Sequence, residues 1–288
     1  MPKKCIVCDS LFFENYINRV RLKKCISCEL IIGFNSISAG DLEKYYANPH
    51  YYDYWGSDIY HISTEDIKKS TFSNYFNKID KLITKGKYLD IGCSVGFSLE
   101  TAKKYGWQPY GIEVSPQIAL IAKKKFPNNI FVGTLEKNVK KNVFKSPIFK
   151  LVSLFDTVEH FIDPLFSLKS IKNFLTPKGL LIMTTPDIES LSFKFMRNYW
   201  PHLLKEHLFY FSKKTVKKLL EKAGYKVEAI EPAIKYHNLN YAFHRFSKYP
   251  KPIITPTINT MHRFLPENLR LKSMPLCFGE MFIIASKI

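Results

Sequence analysis

Residues 88–106 read YLDIGCSVGFSLETAKKYG, and their core, Gly92-Cys93-Ser94-Val95-Gly96, fits two unrelated templates. One is the G-x-S-x-G elbow that exposes a serine nucleophile between a strand and a helix. The other is a glycine loop closing the first strand of a nucleotide-binding sheet. The two readings give Ser94 opposite roles, and the flanking sequence separates them.

An amphipathic stretch runs through Lys81, and KYLDIG then forms a short apolar strand ending at Asp90, followed by the turn and a helix, SLETAKKYG, closed by Gly106. QPYGIEVS is a second strand with Glu113 at its end, and PQIALIAKKKF a second helix with Pro116 in its first turn. KLVSLFD, a helix from Pro164 to Leu175, GLLIMTTPD, the helix SKKTVKKLLEKAG and the strand YKVEAIEP come next, and a last strand, GEMFIIASK, is expected to close the edge. Strands alternating with helices predict an α/β fold, a Rossmann-like, mostly parallel sheet of about seven strands covered on both faces.

A nucleophile elbow follows several strand-helix units, and none precedes Ser94. Composition alone leaves Ser94, Asp163 and His207 in the Ser…Asp…His order of such a hydrolase. Two acids at strand ends argue for a cofactor instead. Asp90 stands two residues before Gly92, and Glu113 stands 21 residues after it, where a carboxylate accepts hydrogen bonds from ribose hydroxyls. An acid beside the loop repels a pyrophosphate and suits a cationic ligand, such as a sulfonium with an amino-acid tail.

The front of the chain carries a separate signal. Four of the six cysteines form Cys5-x-x-Cys8 and Cys25-x-x-Cys28, with 16 residues between the pairs. Two such knuckles present four thiolates to one tetrahedral ion, and a closed set of four leaves no position for a reacting water. The expectation is structural zinc, whose binding supplies the folding energy of a module too small for its own core. Disulfides are the weaker alternative in a reducing compartment.

The following segment, DLEKYYANPHYYDYWGSDIY, packs Tyr45, Tyr46, Tyr51, Tyr52, Tyr54 and Trp55 close together, with Pro49 and Gly56 breaking any long helix. These aromatics either pack the ribbon onto the second domain or form a lid over a ligand. The sequence thus divides into a zinc ribbon (1–40), an aromatic linker or lid (41–70) and an α/β domain (71–288), with 235–276 as an insertion or substrate cap.

In 288 residues, 46% hydrophobic and 15% aromatic, no run reaches the roughly 18 apolar residues that span a bilayer, so a cytoplasmic protein is expected. The net charge of +18 invites nucleic acid. Its cations are 37 Lys and only 6 Arg, spread along the chain, whereas arginine is favoured for bidentate phosphate and base contacts. Compositional bias with solvated faces accounts for most of the charge, and LEKNVKKNVFK is the densest basic stretch.

Together, LDIGCSVGFSLETAKKYG…YGIEVSP, DTVEHFIDP, LTPKGLLIMTTPD and EHLFYFSKKTVKKLLEKAGYKV resemble the class I S-adenosylmethionine-dependent methyltransferases. The two CxxC pairs followed by DLEKYYANPHYYDYW resemble the bacterial branch with an N-terminal zinc-ribbon segment, associated with methylation of sugars, surface glycans and natural products. Ser94 departs from this pattern where a glycine is common, and Lys178 replaces the first glycine of a P-G-G turn.

The resemblance implies that Asp90 and the loop Gly92, Cys93, Ser94 and Gly96 hold the amino-acid tail, and that Glu113 binds the ribose. It implies that Gly133, Thr134 and Leu135 offer backbone near the adenine, and that Asp156 stands near the reacting methyl. The acceptor is a small molecule, sugar or glycan, with RNA as the alternative; the N-P-P-Y tetrapeptide of amino-directed nucleic-acid methyltransferases is replaced by DTVE. A non-catalytic binding protein on this scaffold is a further alternative, disfavoured by the two strand-end acids.

Methyl transfer from a sulfonium asks for positioning, desolvation and, with a hydroxyl or acidic carbon, removal of a proton. His160 and His207 are the candidate bases, because histidine titrates near neutrality. Each also has a plain reading as a helix-capping or backbone-bonded imidazole. Glu159 and Glu206 either orient them or are simply solvated. Cys93 and Cys277 read as packing residues, Cys277 against the last strand.

Overall fold

The structure, a computed structural model, describes residues 4–17, 21–33, 39–48, 62–144, 147–248, 250, 252 and 254–288. Tyr51, Tyr52, Tyr54 and Trp55 of the aromatic segment, with Pro49 and Gly56, lie outside the described residues. Thirteen strands are described: β1 (Phe13–Ile17), β2 (Leu22–Cys25), β3 (Ile31–Gly33), β4 (Lys87–Ile91), β5 (Gln108–Glu113), β6 (Ile130–Val132), β7 (Phe149–Phe155), β8 (Leu175–Pro186), β9 (Phe209–Tyr210), β10 (Tyr225–Pro232), β11 (Lys235–His237), β12 (Met274–Leu276) and β13 (Glu280–Lys287).

Seven of them form the main sheet in the order β10-β13-β8-β7-β4-β5-β6, parallel except for β13, which runs antiparallel to both neighbours. The order reverses beside β4, between its pairings with β5 and β7. Loops at the carboxyl ends of strands diverge at such a point and leave a ligand crevice.

Alternation along each strand divides the core into two layers. Leu89, Val152, Leu181 and Ile283 face one side with the helices Pro164–Phe174 and Lys213–Lys222; Tyr88, Leu151, Ile182 and Phe282 face the other with Ile62–Ile79, Phe97–Lys104 and Pro116–Lys125. Burial on both faces explains why these strands read as continuous apolar runs.

β13 is not the edge strand that its position in the chain suggested; β10 is, with β13 inserted between it and β8. The burial patterns give the reason. β13 is buried over its first six residues and needs cover on both faces, whereas β10 alternates and tolerates an open side. β6 was not expected from the sequence, because three residues are too short to show a period. Cys277 does not pack the last strand: it is exposed, and its thiol reaches the Glu280 carbonyl at 3.7 Å.

β1, β2 and β3 form an antiparallel sheet whose fourth strand, β9, comes from the α/β domain. Ile31 pairs with Tyr210 and Ile32 with Phe209, and the Gly33 amide donates to the Leu208 carbonyl at 2.8 Å. A Cβ on Gly33 would stand 2.7 Å from the His207 carbonyl oxygen, so the approach requires glycine. Lys222 reinforces the contact by donating to Asp9 Oδ2 at 2.6 Å and to the Val7 carbonyl at 3.4 Å.

Lys178 has φ +59°, a left-handed conformation that glycine adopts without steric cost. Lys178→Gly should stabilise the fold by about 1 kcal/mol, read as a melting temperature roughly 2 °C higher; an unchanged or lower value would show that the lysine side chain compensates for its backbone.

Candidate active site

Gly92 and Gly96 hold φ of +82° and +90°, and Gly96 is the N-cap of the helix Phe97–Lys104. A Cβ on Gly92 would meet Thr157 Oγ1 at 2.7 Å, and Thr157 donates to the Ile91 carbonyl at 3.2 Å. The glycine loop after β4 and the turn after β7 are therefore in direct contact. Ser94 itself has φ +49°, so the serine occupies a conformation in which glycine would be unstrained.

Each oxygen of Glu113 accepts one backbone N–H, Oε2 from Ser94 at 2.9 Å and Oε1 from Ser115 at 2.8 Å. The acid at the end of β5 thus holds the glycine loop in place while each oxygen keeps a second lone pair. Burial raises its pKa, and the backbone donors oppose the rise. Asp90 accepts from Ser153 Oγ at 2.5 Å and from Ser98 Oγ. Burial is the largest influence on this carboxyl and pushes its pKa up to about 7, against the two hydroxyl donors and with help from the charge of Glu113.

Cys93 points into the core, where its Sγ would lie 2.5 Å from a Cβ on Gly111. It offers the crevice only its backbone. At the end of β6, the Gly133 amide donates to the Glu113 carbonyl at 2.8 Å, Thr134 caps the helix Leu135–Lys140 by accepting from the Lys137 amide, and Leu135 is buried. Strand ends thus bring the glycine loop, Asp90, Glu113 and the turn at residues 133–135 to one crevice. Its two carboxyls and its exposed backbone fit a cationic cofactor such as S-adenosylmethionine.

The segment after β7 builds the opposite wall. Asp156 has φ +50° and is tied on both oxygens: Oδ1 accepts from Thr184 Oγ1 at 2.7 Å and Oδ2 from Lys235 Nζ at 2.6 Å. Lys235 also pairs with Glu280. Burial raises the Asp156 pKa, but the adjacent Lys235 charge and the hydrogen bonds outweigh it and hold the group ionised. Lys235 is itself kept charged, its burial outweighed by Asp156 and Glu280.

The next turn carries Glu159 and His160. His160 Nδ1 lies 3.1 Å from the Glu206 carbonyl oxygen and 3.1 Å from Tyr46 Oη. A carbonyl only accepts, so the Glu206 contact calls for a proton on Nδ1, whereas the Tyr46 hydroxyl can either accept that proton or donate to the ring. The His207 ring stands edge-on to His160 with centroids 4.7 Å apart. Burial lowers the pKa of His160 to about 4, against the Glu206 carbonyl and Asp156, and also holds that of His207 well below its ordinary value, with His160 and His202 adding to the effect. Both rings are neutral at pH 7, and the titration near neutrality expected from residue type is displaced by desolvation. Glu159 is fully buried with no well-formed hydrogen bond to either oxygen; burial and the Asp156 charge push its pKa well up against the Thr185 hydroxyl, and His207 Nδ1 is likewise unpartnered.

The hydrolase triad is not assembled. Asp163 caps the helix Pro164–Phe174 by accepting from the Phe166 amide at 3.0 Å, His207 lies against His160 and Tyr210, and no hydrogen bond joins Ser94 to either residue.

At the ribbon, Cys5 Sγ and Cys28 Sγ are 3.4 Å apart and Cys8 Sγ and Cys25 Sγ 3.5 Å apart, with all four sulfurs within 4.8 Å of one another. Zinc–sulfur bonds of about 2.3 Å at tetrahedral angles place sulfurs about 3.8 Å apart, so this donor set fits one zinc ion.

A family model described as a methyltransferase domain matches residues 67–230, more than half of the chain. The chain belongs to this methyltransferase family. It is a methyltransferase, and S-adenosylmethionine is the methyl donor used on its fold. Comparison with curated proteins gives no match. Among solved structures, a methyltransferase of Haloferax volcanii in complex with its Trm112 activator is 13% identical, with 86% of this chain and 97% of that one covered at a TM-score of 0.56. An S-adenosylmethionine-dependent methyltransferase of Archaeoglobus fulgidus is 20% identical, with 77% and 94% covered at 0.53. The [4+2]-cyclase SpnF is 14% identical, with 75% and 80% covered at 0.50. At these identities the likeness is one of fold. Among the described residues, no helix of the methyltransferase is long and apolar enough to cross a membrane.

Of the residues that the structure brings together here, the sequence named the strand-end acids, the glycine loop, both histidines and the four cysteines as candidates. It passed over Tyr46 as a site residue and missed Ser98, Ser153, Thr157, Thr184 and Lys235. Only Tyr46 carried a signal, as one member of an aromatic cluster.

Folded Asp90 keeps its proton to about pH 7, whereas in the unfolded chain it ionises near 3.8. Its stabilising contribution is fully present below 3.8 and is lost as pH rises to about 7. Asp90→Asn should therefore gain stability relative to the parent as pH goes from 4 to 7, by a few kcal/mol at most. Parallel melting-temperature profiles for the two proteins would show that the buried carboxyl ionises freely.

Proposed function

We propose that this methyltransferase transfers the methyl group of S-adenosylmethionine to a small-molecule, sugar or glycan-type acceptor at oxygen or carbon. The observation that carries this reading is the enclosed His160–His207 pair, with Tyr46 against it, on the turn that Thr157 joins to the glycine loop. A small hydroxylated acceptor suits such a buried polar corner. The reading of RNA as acceptor rests on the net charge of +18, which is chiefly lysine distributed along the chain.

S-adenosylmethionine, when bound, supplies a methyl group on a positively charged sulfur. We assign its amino-acid tail to Asp90 and the loop Gly92 to Gly96, with Cys93 and Ser94 contributing backbone, its ribose to Glu113, and its adenine to the turn carrying Thr134 and Leu135. Asp156, kept ionised by Lys235, places negative charge near the reacting end. A hydroxyl or acidic carbon must lose a proton to become a nucleophile, and the His160–His207 pair is the site of that loss.

We assign zinc to Cys5, Cys8, Cys25 and Cys28 in a closed structural site, within a ribbon spanning 1–40. Residues 41–70 are the linker that delivers Tyr46, 71–288 the catalytic domain, and 235–276 a cap that brings Lys235 to the site. The free thiols suit the cytoplasm. Because β3 pairs with β9 beside His207, the ribbon braces the acceptor side of the site.

Glu113→Ala should weaken S-adenosylmethionine binding tenfold or more in calorimetric titration while the fold and metal content persist; unchanged affinity would remove Glu113 from the ribose site. His160→Ala and His207→Ala should preserve cofactor affinity and lower turnover by about 10²-fold or more, once an acceptor is found by screening sugars and nucleotide sugars. Full turnover in both variants would refute the assignment. Stripping zinc with a chelator should lower turnover more than cofactor affinity, and the reverse order would show that the ribbon serves the cofactor instead.

A further inference from the structure

Glu159, His160 and His207 share a property that the assignments above leave unexplained. One donor atom from each lies within 4.8 Å of the other two, and all three residues sit behind the carboxyl end of β7. Glu159 is 0% exposed and His207 6% exposed; neither Glu159 oxygen nor His207 Nδ1 has a well-formed hydrogen bond, and the Thr185 hydroxyl that acts on Glu159 is buried and unpaired as well. Burial, with the Asp156 charge, pushes the Glu159 carboxyl well above its ordinary pKa against the Thr185 hydroxyl, so it is held as a neutral acid unless a cation takes the proton's place. Several such unpaired atoms converging on one point is the arrangement expected around a missing cation.

The donor set has a definite chemistry. Two imidazoles and one carboxylate form a three-ligand set for a divalent first-row transition ion, with positions left open for a further ligand. His160 shows the outer contact typical of a metal ligand: its Nδ1 lies 3.1 Å from the Glu206 carbonyl, and a proton donated there leaves Nε2 as the ligating nitrogen. The Leu208 amide donates to the Glu159 carbonyl at 2.8 Å, which locks the segment carrying His207 to the turn carrying the other two donors. Metal–nitrogen bonds of about 2.0 Å at tetrahedral angles need donors about 3.3 Å apart, a distance that side-chain torsions reach from the spacing seen.

We propose that Glu159, His160 and His207 bind one divalent transition-metal ion, separate from the ribbon zinc, whose open positions face the acceptor. The inference rests on the reading that the acceptor docks at this end of the sheet, and it specifies the acceptor atom as an oxygen able to coordinate the ion. The His160–His207 pair then promotes proton loss through the ion and not as a free base.

The test is a titration of the untagged, metal-stripped full chain with cobalt(II), followed by absorbance and by metal analysis. Two ions per chain are expected: one with the intense thiolate charge-transfer bands of a four-cysteine site, the other with only weak ligand-field bands. Glu159→Gln should drop the count from two to one and leave the thiolate bands intact. Cys8→Ser should perturb those bands and spare the second ion. His207→Gln, with its melting temperature measured, provides an independent loss of the second ion in a folded protein.

A parent protein that binds one ion with thiolate bands alone, or a Glu159→Gln protein that still binds two, overturns the proposal. S-adenosylmethionine titration of the same samples separates the two readings. Cofactor binding with a single ion refutes only the second metal site, whereas an intact second ion without cofactor binding refutes the methyl-transfer reading on which the role of that ion depends.

Discussion

The pairing of β3 with β9 is the constraint on which the His160–His207 end of the sheet depends. β9 has two residues, and a strand that short has no stability of its own. Its order comes from a continuous set of backbone hydrogen bonds, from Ile31 and Ile32 to Tyr210 and Phe209, from the Gly33 amide to the Leu208 carbonyl, and from the Leu208 amide to the Glu159 carbonyl. Four cysteines thereby acquire a consequence beyond their own module. Whatever holds the ribbon folded also fixes the direction from which His207 enters the site.

A second constraint is electrostatic. Asp156, Lys235 and Glu280 place two negative charges and one positive charge at the end of the sheet, and burying Lys235 is tolerable only because both carboxylates face it. Lys235 stands at the head of the insertion and Glu280 just beyond its end, so the ionic cluster clasps the base of the cap against β7. The left-handed backbone of Asp156 belongs to the same arrangement, since Thr184 binds both its amide and its carboxylate. A non-glycine residue keeps such a conformation where its surroundings over-determine it.

Much of this was legible in the sequence, for reasons that differ between the two halves of the site. The half assigned to the cofactor spans Asp90 to Leu135 and is made of consecutive strand-turn-helix units, so each candidate is found by counting from a glycine loop. The cysteine pairs were equally plain, because a tetrahedral ion imposes their spacing. The exchange of β10 and β13 was legible in principle, since an uninterrupted apolar run such as EMFIIAS does not suit an edge. The expectation of an edge strand followed chain order, and burial decided otherwise.

The half assigned to the acceptor was opaque for a physical reason. Its donors come from Tyr46, from the turn 156–160, from the loop around 206–207 and from Lys235, four segments that only the completed fold brings together. No local period records such an encounter, and residue type misleads once desolvation acts. The sequence suggested imidazoles that titrate near neutrality and a Glu159 free to be solvated, whereas burial leaves two neutral rings beside a carboxyl with no well-formed hydrogen bond. Desolvation is a property of the assembled environment, and it displaces the titration of the same three residues, whose donor atoms the fold brings within 4.8 Å of one another. The folding that hides them from water is therefore also what defines their chemistry.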